Sequence, residues 1–325
     1  MSTDESGRID VLVLRKGAHG ISTAEYVDAL RERLPDGVRV ERAGTAAAER
    51  EGVETVRVAT GGSIDRGMLD GASNLELFAC TSAGVDDLPL DALADRDVAV
   101  TNASGVHGPN IAEHVVGSML SFAREFRQFW RQEERNEWRR GQASELYGST
   151  VTVVGLGAIG EAIVERLEGF DVTTVGARYS PEKGGPTDEV VGFRDDEAFE
   201  DALSRSDYVA LACPLTEETR GLIGTTEFGT LEPHAVLVNV ARGPVVDTDA
   251  LVGALQGNAI GGAALDVTDP EPLPGDHPLW DLDNAFITPH SSGHTPAYYE
   301  RCAEILATNW ERLEAGDDDL RNRVA

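Results

Sequence analysis

Short apolar runs and amphipathic stretches alternate along almost the whole chain. In the first hundred or so positions, Ile9 to Leu14, Val38 to Val40, Thr55 to Ala59, Leu75 to Ala79 and Val98 to Val100 read as strands. Helices are predicted between them near Thr23 to Leu34, Asp65 to Leu69 and Leu88 to Ala94. That alternation predicts an α/β domain on a parallel sheet. From His107 to Trp130 one long helix is predicted, with Ile111, Val115, Met119 and Phe122 on one face. A second alternation opens at Val151, with strands predicted at Val151 to Val154, Val172 to Val175, Tyr208 to Ala212, Ala235 to Val240, Gly262 to Leu265 and Ala285 to Ile287. Six strands suit a doubly wound sheet. Pro296 to Ala315 reads as one last helix before a polar tail.

The strand at Val151 runs into Gly155-Leu156-Gly157-Ala158-Ile159-Gly160 and then into a helical pattern from Glu161 to Glu168. A dinucleotide-binding βα turn needs this order. The first glycine permits the tight turn, the second lets a pyrophosphate reach the backbone, and the third lets helix pack on strand. The free N–H groups and dipole of the helix N-terminus favour the phosphates. An acid that takes the ribose hydroxyls of NAD is expected about 20 residues further on. Here that strand ends Val175-Gly176-Ala177-Arg178-Tyr179-Ser180, without a carboxylate. Arg178, with Ser180 as a second contact, suits a 2′-phosphate, so NADP(H) is the expected cofactor and NAD(H) the alternative.

Charge narrows the partners. The chain has 28 Lys and Arg against 57 Asp and Glu, a formal net of −29 over 325 residues. Such a field repels nucleic acid and anionic membranes. An arginine-rich stretch, Arg124 to Arg140, carries Phe126, Phe129, Trp130 and Trp138, but also Glu125, Glu133, Glu134 and Glu137. It reads as a solvated or subunit-facing helix. Only Lys16 and Lys183 are lysines, and the acids are dispersed, which suggests adaptation to high salt, where screening removes self-repulsion. Cys80, Cys213 and Cys302 lack disulfide or zinc spacing and read as reduced thiols in a cytoplasm, with no metal site expected. A polar N-terminus and the lack of long apolar runs predict neither a targeting segment nor a membrane span.

Three further motifs follow predicted strands. Val238-Asn-Val-Ala-Arg242-Gly-Pro-Val-Val-Asp247 places Arg242 at a strand end, where ligands of open α/β sheets bind and where a guanidinium fork can grip a carboxylate. Its structural alternative is a surface arginine paired with Asp247. Asp266-Val-Thr-Asp-Pro-Glu271-Pro272 fences a glutamate between prolines in a rigid turn. Thr288-Pro-His290-Ser-Ser-Gly293 delivers a histidine beside small residues. Alone, His290 would read as a structural histidine; together, arginine, glutamate and histidine at three consecutive strand ends stand in an order that a hydride-transfer site could use.

With Gly155 to Gly160 and Cys213-Pro-Leu-Thr-Glu-Glu-Thr-Arg-Gly221, these motifs resemble the D-isomer-specific 2-hydroxyacid dehydrogenases. The resemblance continues upstream through Ser82-Ala-Gly-Val-Asp86, Val100-Thr-Asn102 and Ile111-Ala-Glu-His114. It spans roughly Leu75 to Tyr299 and is loose before that.

The resemblance implies two doubly wound parallel-sheet domains, a Rossmann nucleotide domain inserted into a smaller flavodoxin-like substrate domain. The expected bounds are 1–104 for the first part of the substrate domain, 105–293 for the nucleotide domain, and 294–325 for a helix returning to the substrate domain. Linkers near Asn102 to Gly105 and Gly293 to Pro296 would form a hinge. The implied activity is reversible, stereospecific reduction of a 2-oxoacid to a D-2-hydroxyacid. Arg242 would hold the substrate carboxylate together with backbone N–H groups of Ala83, Gly84 and Val85. His290 would be the general acid as hydride reaches the carbonyl carbon, and Glu271 would accept from its other ring nitrogen. Cofactor contacts are implied at Gly155, Gly157, Ala158, Ile159, Gly160, Arg178, Tyr179, Ser180, Cys213, Pro214, Thr219, Val240, Ala241, Asp266, Ser292 and Gly293. Of these, Asp266 would meet the carboxamide, with Val240 and Cys213 on the nicotinamide side. A homodimer through the nucleotide domain is expected.

Two alternatives stand beside this reading: an NAD(H)-sensing corepressor-like binding protein, which the uniformly acidic surface disfavours, and the narrower glyoxylate or hydroxypyruvate reductase. Formate dehydrogenases usually pair the histidine with glutamine, which Glu271 speaks against, and the 35 residues after His290 leave no room for the regulatory domain of many phosphoglycerate dehydrogenases. If the charge pattern is a high-salt adaptation, thermal melts will show the midpoint rising from dilute buffer to molar KCl. A midpoint independent of salt contradicts it.

Overall fold

A computed structural model describes residues 9–18, 20–85 and 87–325. The chain divides into two compact units, one running up to Val106 and including His294–Ala325, the other His107–Gly293. Asp86, in one of the motifs above, lies outside the described residues.

The first unit holds β1 (Val11–Val13), α1 (Thr23–Arg33), β2 (Val40–Arg42), α2 (Ala46–Val53), β3 (Val58–Gly61), α3 (Arg66–Leu69), β4 (Leu77–Cys80), α4 (Leu90–Ala94) and β5 (Ala99–Thr101). Its sheet has the order β2-β1-β3-β4-β5, parallel throughout, the flavodoxin-like arrangement. Burial on both faces explains the apolar runs. Val11 and Val13 join one layer with Val58, Leu77 and Ala79, while Leu12 and Leu14 join the other with Ala59, Phe78 and Val100. Each fully buried Val, Leu or Phe contributes about 1.5–3 kcal/mol.

The second unit holds α5 (Gly108–Ala123), α6 (Phe126–Glu134), β6 (Thr150–Val154), α7 (Ala158–Leu167), β7 (Thr173–Arg178), β8 (Glu189–Gly192), α8 (Asp196–Ser204), β9 (Tyr208–Leu211), α9 (Thr225–Thr230), β10 (Val236–Asn239), α10 (Thr248–Gln256), β11 (Gly262–Leu265) and β12 (Ala285–Ile287). The sheet order is β12-β11-β10-β9-β6-β7-β8, all parallel. This is the doubly wound dinucleotide order with a seventh strand at one edge. Alternate strand residues again feed two layers, Val154, Val175, Leu211, Leu237 and Leu265 in one, Val151, Val153, Ala210 and Val238 in the other.

The structure departs from the sequence pattern at three places. The long helix predicted from His107 to Trp130 is two helices. Glu125 adopts φ +54°, and the Ala123 carbonyl accepts from Ser144 N at 2.7 Å instead of continuing the helical ladder. Helix α2 escaped the pattern because Glu49 and Val53 are its only fully buried side chains, too few for a period, although Thr45 caps it by accepting from Ala48 N. Strand β8 was missed because it is a half-exposed edge strand only four residues long.

The final helix, α11 (Tyr298–Ala315), completes the first unit. Tyr299 stacks on Tyr26 of α1 with ring centroids 4.8 Å apart, the Tyr298 hydroxyl donates to the Thr81 carbonyl, and Leu306 is buried beside Leu30 in the same layer. The tail then pairs with β5, Val324 N donating to Val100 O at 2.8 Å. Because Leu306 is 1% exposed, Leu306→Ala is expected to cost about 2–5 kcal/mol. Denaturant unfolding checks this, and a loss below about 0.5 kcal/mol, the scale of ordinary surface substitutions, would mean that the helix is peripheral.

Candidate active site

In the second unit the strand order reverses between β6 and β9, and the glycine turn follows β6 there. Gly155 has φ +97°, and a Cβ on it would lie 2.6 Å from Cys213 Cα, so the turn tolerates only glycine. A Cβ on Gly160 would run into the Gly155 carbonyl, whereas one on Gly157 would meet nothing within 4 Å. Two glycines are thus fixed by packing, and the middle one faces open space at the N-terminus of α7. Ala158 and Ile159 form the first turn of that helix.

A cavity of about 440 Å³ adjoins the turn, lined among others by Gly155, Gly157, Arg178, Tyr179, Ser180, Lys183, Cys213, Pro214 and Thr219. Arg178 ends β7 and donates to the Gly184 carbonyl at 2.5 Å. That bond ties down the short turn Pro181–Lys183, whose lysine lines the same cavity and was not singled out as a site residue in the sequence. Tyr179 lies beneath Arg194, whose guanidinium carbon is 4.9 Å from the ring centroid. Glu218 is the carboxylate on the rim, and Arg194 acts on it electrostatically. Thr219 is buried, and its hydroxyl donates to the Pro214 carbonyl at 2.6 Å, stapling the turn after β9. Burial pushes the Cys213 thiol up to about 11, so this wall of the cavity is neutral.

Beyond β10 the chain carries Val240 and Ala241, both buried, and then Arg242, which is exposed. Asn239, 1% exposed, locks this loop by accepting from Ala241 N at 3.0 Å and donating to the Arg242 carbonyl at 3.1 Å. It stood within the motif without an assigned role; a polar residue ending an apolar strand was its only signal. Arg242 donates to the Ala241 carbonyl and meets no carboxylate within 4.0 Å among the described residues. Asp247 instead caps α10 by accepting from Ala250 N, so the structural alternative for Arg242 does not hold.

Beyond β12, His290 sits at φ +50°, with its N–H donating to the Asp266 carbonyl at 2.9 Å. Histidine Nδ1 lies 2.6 Å from Glu271 Oε1, both side chains about half exposed. An ionised carboxylate only accepts, so Nδ1 donates and Nε2 is the ring atom left to exchange a proton. Asp266 is buried, its carboxylate accepting from Thr288 Oγ1 at 2.6 Å, Ser291 N at 2.8 Å and Ser292 N at 3.0 Å. Burial alone would raise this acid; the hydrogen bonds from Ser292, Thr288 and the Ser291 amide outweigh it and hold the carboxyl below its usual range. Gly293 closes the loop. Ala83, Gly84 and Val85 follow β4 in the first unit, the first two exposed, with Asn102 Nδ2 donating to the Ala83 carbonyl at 2.7 Å. A histidine–glutamate dyad and an unpaired arginine on neighbouring loops of one sheet edge are suited to moving a proton beside a bound carboxylate.

Residues 116–292 match the family model described as D-isomer specific 2-hydroxyacid dehydrogenase, NAD binding domain. The chain belongs to this family. A glyoxylate reductase from Thermofilum pendens is 36% identical over 252 residues, 76% of this chain and 74% of that protein. A D-3-phosphoglycerate dehydrogenase from Methanocaldococcus jannaschii is 33% identical over 262 residues, 80% of this chain but 49% of that protein. Among solved structures, a D-isomer specific 2-hydroxyacid dehydrogenase from Xanthobacter autotrophicus in complex with NADPH and MES is 30% identical, with a TM-score of 0.76 over 98% of each chain. This D-2-hydroxyacid dehydrogenase family member is therefore an NAD(P)-dependent oxidoreductase acting on CH–OH groups of small molecules. The glycine turn, open at Gly157 and bordered by the cavity, fits such a cofactor. Among the described residues no helix is long and apolar enough to cross a membrane, and no cluster of metal-ligating side chains occurs.

Cys80, Cys213 and Cys302 are unpaired and buried, and burial pushes Cys302 up to about 12. At pH 8 a thiol like Cys213 is ionised in only about one molecule in a thousand. Iodoacetamide at that pH is expected to label no cysteine until the protein is unfolded. Stoichiometric labelling of the native protein contradicts this.

Proposed function

We propose that the chain reduces a 2-oxoacid to a D-2-hydroxyacid, preferring NADPH, with His290 as general acid, Glu271 as its orienting partner and Arg242 as the carboxylate-binding residue. The observation that carries the reading is the 2.6 Å contact between His290 Nδ1 and Glu271 Oε1, which leaves Nε2 to serve the substrate. When bound, the nicotinamide cofactor supplies the hydride. The chain's own residues do the rest. Arg242 grips the substrate carboxylate with its planar fork. His290 delivers a proton from Nε2 to the carbonyl oxygen, and Glu271 stabilises the charged ring before that transfer. In the reverse direction the ring accepts the proton from the substrate hydroxyl at Nε2.

Cofactor preference is read from β7, which ends without a carboxylate. Arg178, Ser180 and Lys183 line the adjoining cavity and supply donors for a 2′-phosphate. The remaining implied contacts fall on Gly155, Gly157, Ala158, Ile159 and Gly160 for the pyrophosphate, and on Val240, Ala241, Asp266, Ser292 and Gly293 along the strand-end loops. Assembly as a homodimer is supported by exposed aromatics on one stretch of the second unit, with Phe126 and Trp130 on α6 and Trp138 wholly exposed beyond it. Three buried, unpaired thiols support a reducing compartment such as the cytoplasm. The proposed domain bounds are 1–104 and 294–325 for the substrate domain and 105–293 for the nucleotide domain; the division into compact units at Val106 and Gly293 supports this reading.

In steady-state assays with a 2-oxoacid at high salt, kcat/KM is expected to be at least about tenfold higher with NADPH than with NADH, the scale of one charge-assisted contact. His290→Ala should lower kcat by about 10²–10⁴-fold, and Arg242→Lys should mainly raise KM. Equal efficiency with both cofactors sinks the NADPH preference, and undiminished turnover in either variant sinks that residue's role.

A further inference from the structure

The motif Ile111-Ala-Glu-His114 has no part in the mechanism above, yet it places a histidine against the loop that carries His290. His114 lies on α5, and its Nε2 is 3.2 Å from Thr288 Oγ1 and 4.0 Å from Asp266 Oδ1. One turn earlier on the same helix, Asn110 Nδ2 donates to the Ser292 carbonyl at 2.6 Å. Helix α5 therefore grips the loop on both sides of His290.

The hydrogen-bond roles follow from the proton count. A threonine hydroxyl has one proton to give. The 2.6 Å contact to the buried, ionised Asp266 uses it, since that carboxylate can only accept. The Thr288 oxygen must then accept from His114, which requires a proton on His114 Nε2. With a bare Nε2 the same hydroxyl proton would have two acceptors to serve, and Asp266 would lose one of the three donors that hold its charge in the interior. Asp266 in turn binds the amides of Ser291 and Ser292, and its carbonyl accepts the His290 N–H. These contacts keep His290 in the left-handed backbone region, where a non-glycine residue stays only when its surroundings hold it.

We infer that His114 is a positioning residue for His290, acting through the Thr288 hydroxyl and the Asp266 carboxylate. It touches neither reacting atoms nor the dyad. Its effect is to set the direction of one hydroxyl, and through it the geometry of the loop. The inference rests on the reading of His290 as the general acid.

The test is a set of variants assayed with a 2-oxoacid and NADPH, alongside cofactor affinity by fluorescence titration and melting temperature. His114→Ala should lower kcat by about 10- to 100-fold, the cost of a small misplacement of a catalytic group, with substrate KM and cofactor Kd within about twofold of the parent. His114→Gln, whose amide nitrogen reaches the Nε2 position, should recover most of the loss. Thr288→Val should lower kcat similarly, Thr288→Ser should not, and the His114→Ala and Thr288→Val effects should be non-additive because both break one chain. An unchanged kcat in His114→Ala, a failure of His114→Gln to rescue in a protein that melts normally, or additive effects would each overturn the inference. His290→Ala separates the two levels. Should it retain turnover, the assignment of the acid fails; should it abolish turnover while His114→Ala keeps the parent kcat, only the present inference fails.

Discussion

Everything in the second unit depends on its strands being parallel. Parallel pairing sends every strand-to-helix loop out at the same edge of the sheet, so residues far apart in sequence are delivered to one place. Strands β10, β11 and β12 are neighbours in register, Val236 opposite Gly262 and Ala263 opposite Ala285. Arg242, Glu271 and His290 follow their ends in turn. The price of that arrangement is burial on both faces, which is why the strands are unbroken apolar runs and why the layers of α5 with α7 on one side and α8 to α10 on the other are required before any site can exist.

The loops are held in turn by buried polar ties as well as by packing. Asn239 fixes the loop that presents Arg242, Asp266 fixes the loop that presents His290, and Thr219 staples the turn bordering the cavity. Each is buried with its hydrogen bonds satisfied, which is the condition for a polar group to rigidify a structure instead of destabilising it. The side chains proposed to carry the chemistry, Arg242, Glu271 and His290, remain exposed or half-exposed. Stiffness lies beneath the edge and reactivity on it.

Much of this was legible in the sequence because the same constraint writes itself into the pattern. Fully buried parallel strands read as continuous apolar runs, and the glycines at 155 and 160 are demanded by contacts that no other residue survives. The residues proposed for the chemistry stand in motifs with fixed places relative to strand ends. What escaped the pattern is what tertiary contacts decide. Ser144 captures the Ala123 carbonyl and breaks a helix whose periodicity runs on. Lys183 lines the cavity from a turn that Arg178 ties back through the Gly184 carbonyl. The pairing of Thr288 with His114 joins residues 174 positions apart, a distance at which no local pattern speaks.

The proposed chemistry reduces a 2-oxoacid on one face only. Chiral chromatography of the product formed from a 2-oxoacid and NADPH tests it most directly. The expected product is the D-2-hydroxyacid alone, in amounts matching the NADPH consumed. Formation of the L-enantiomer, of a racemate, or of no hydroxyacid with any of a broad panel of 2-oxoacids would contradict it.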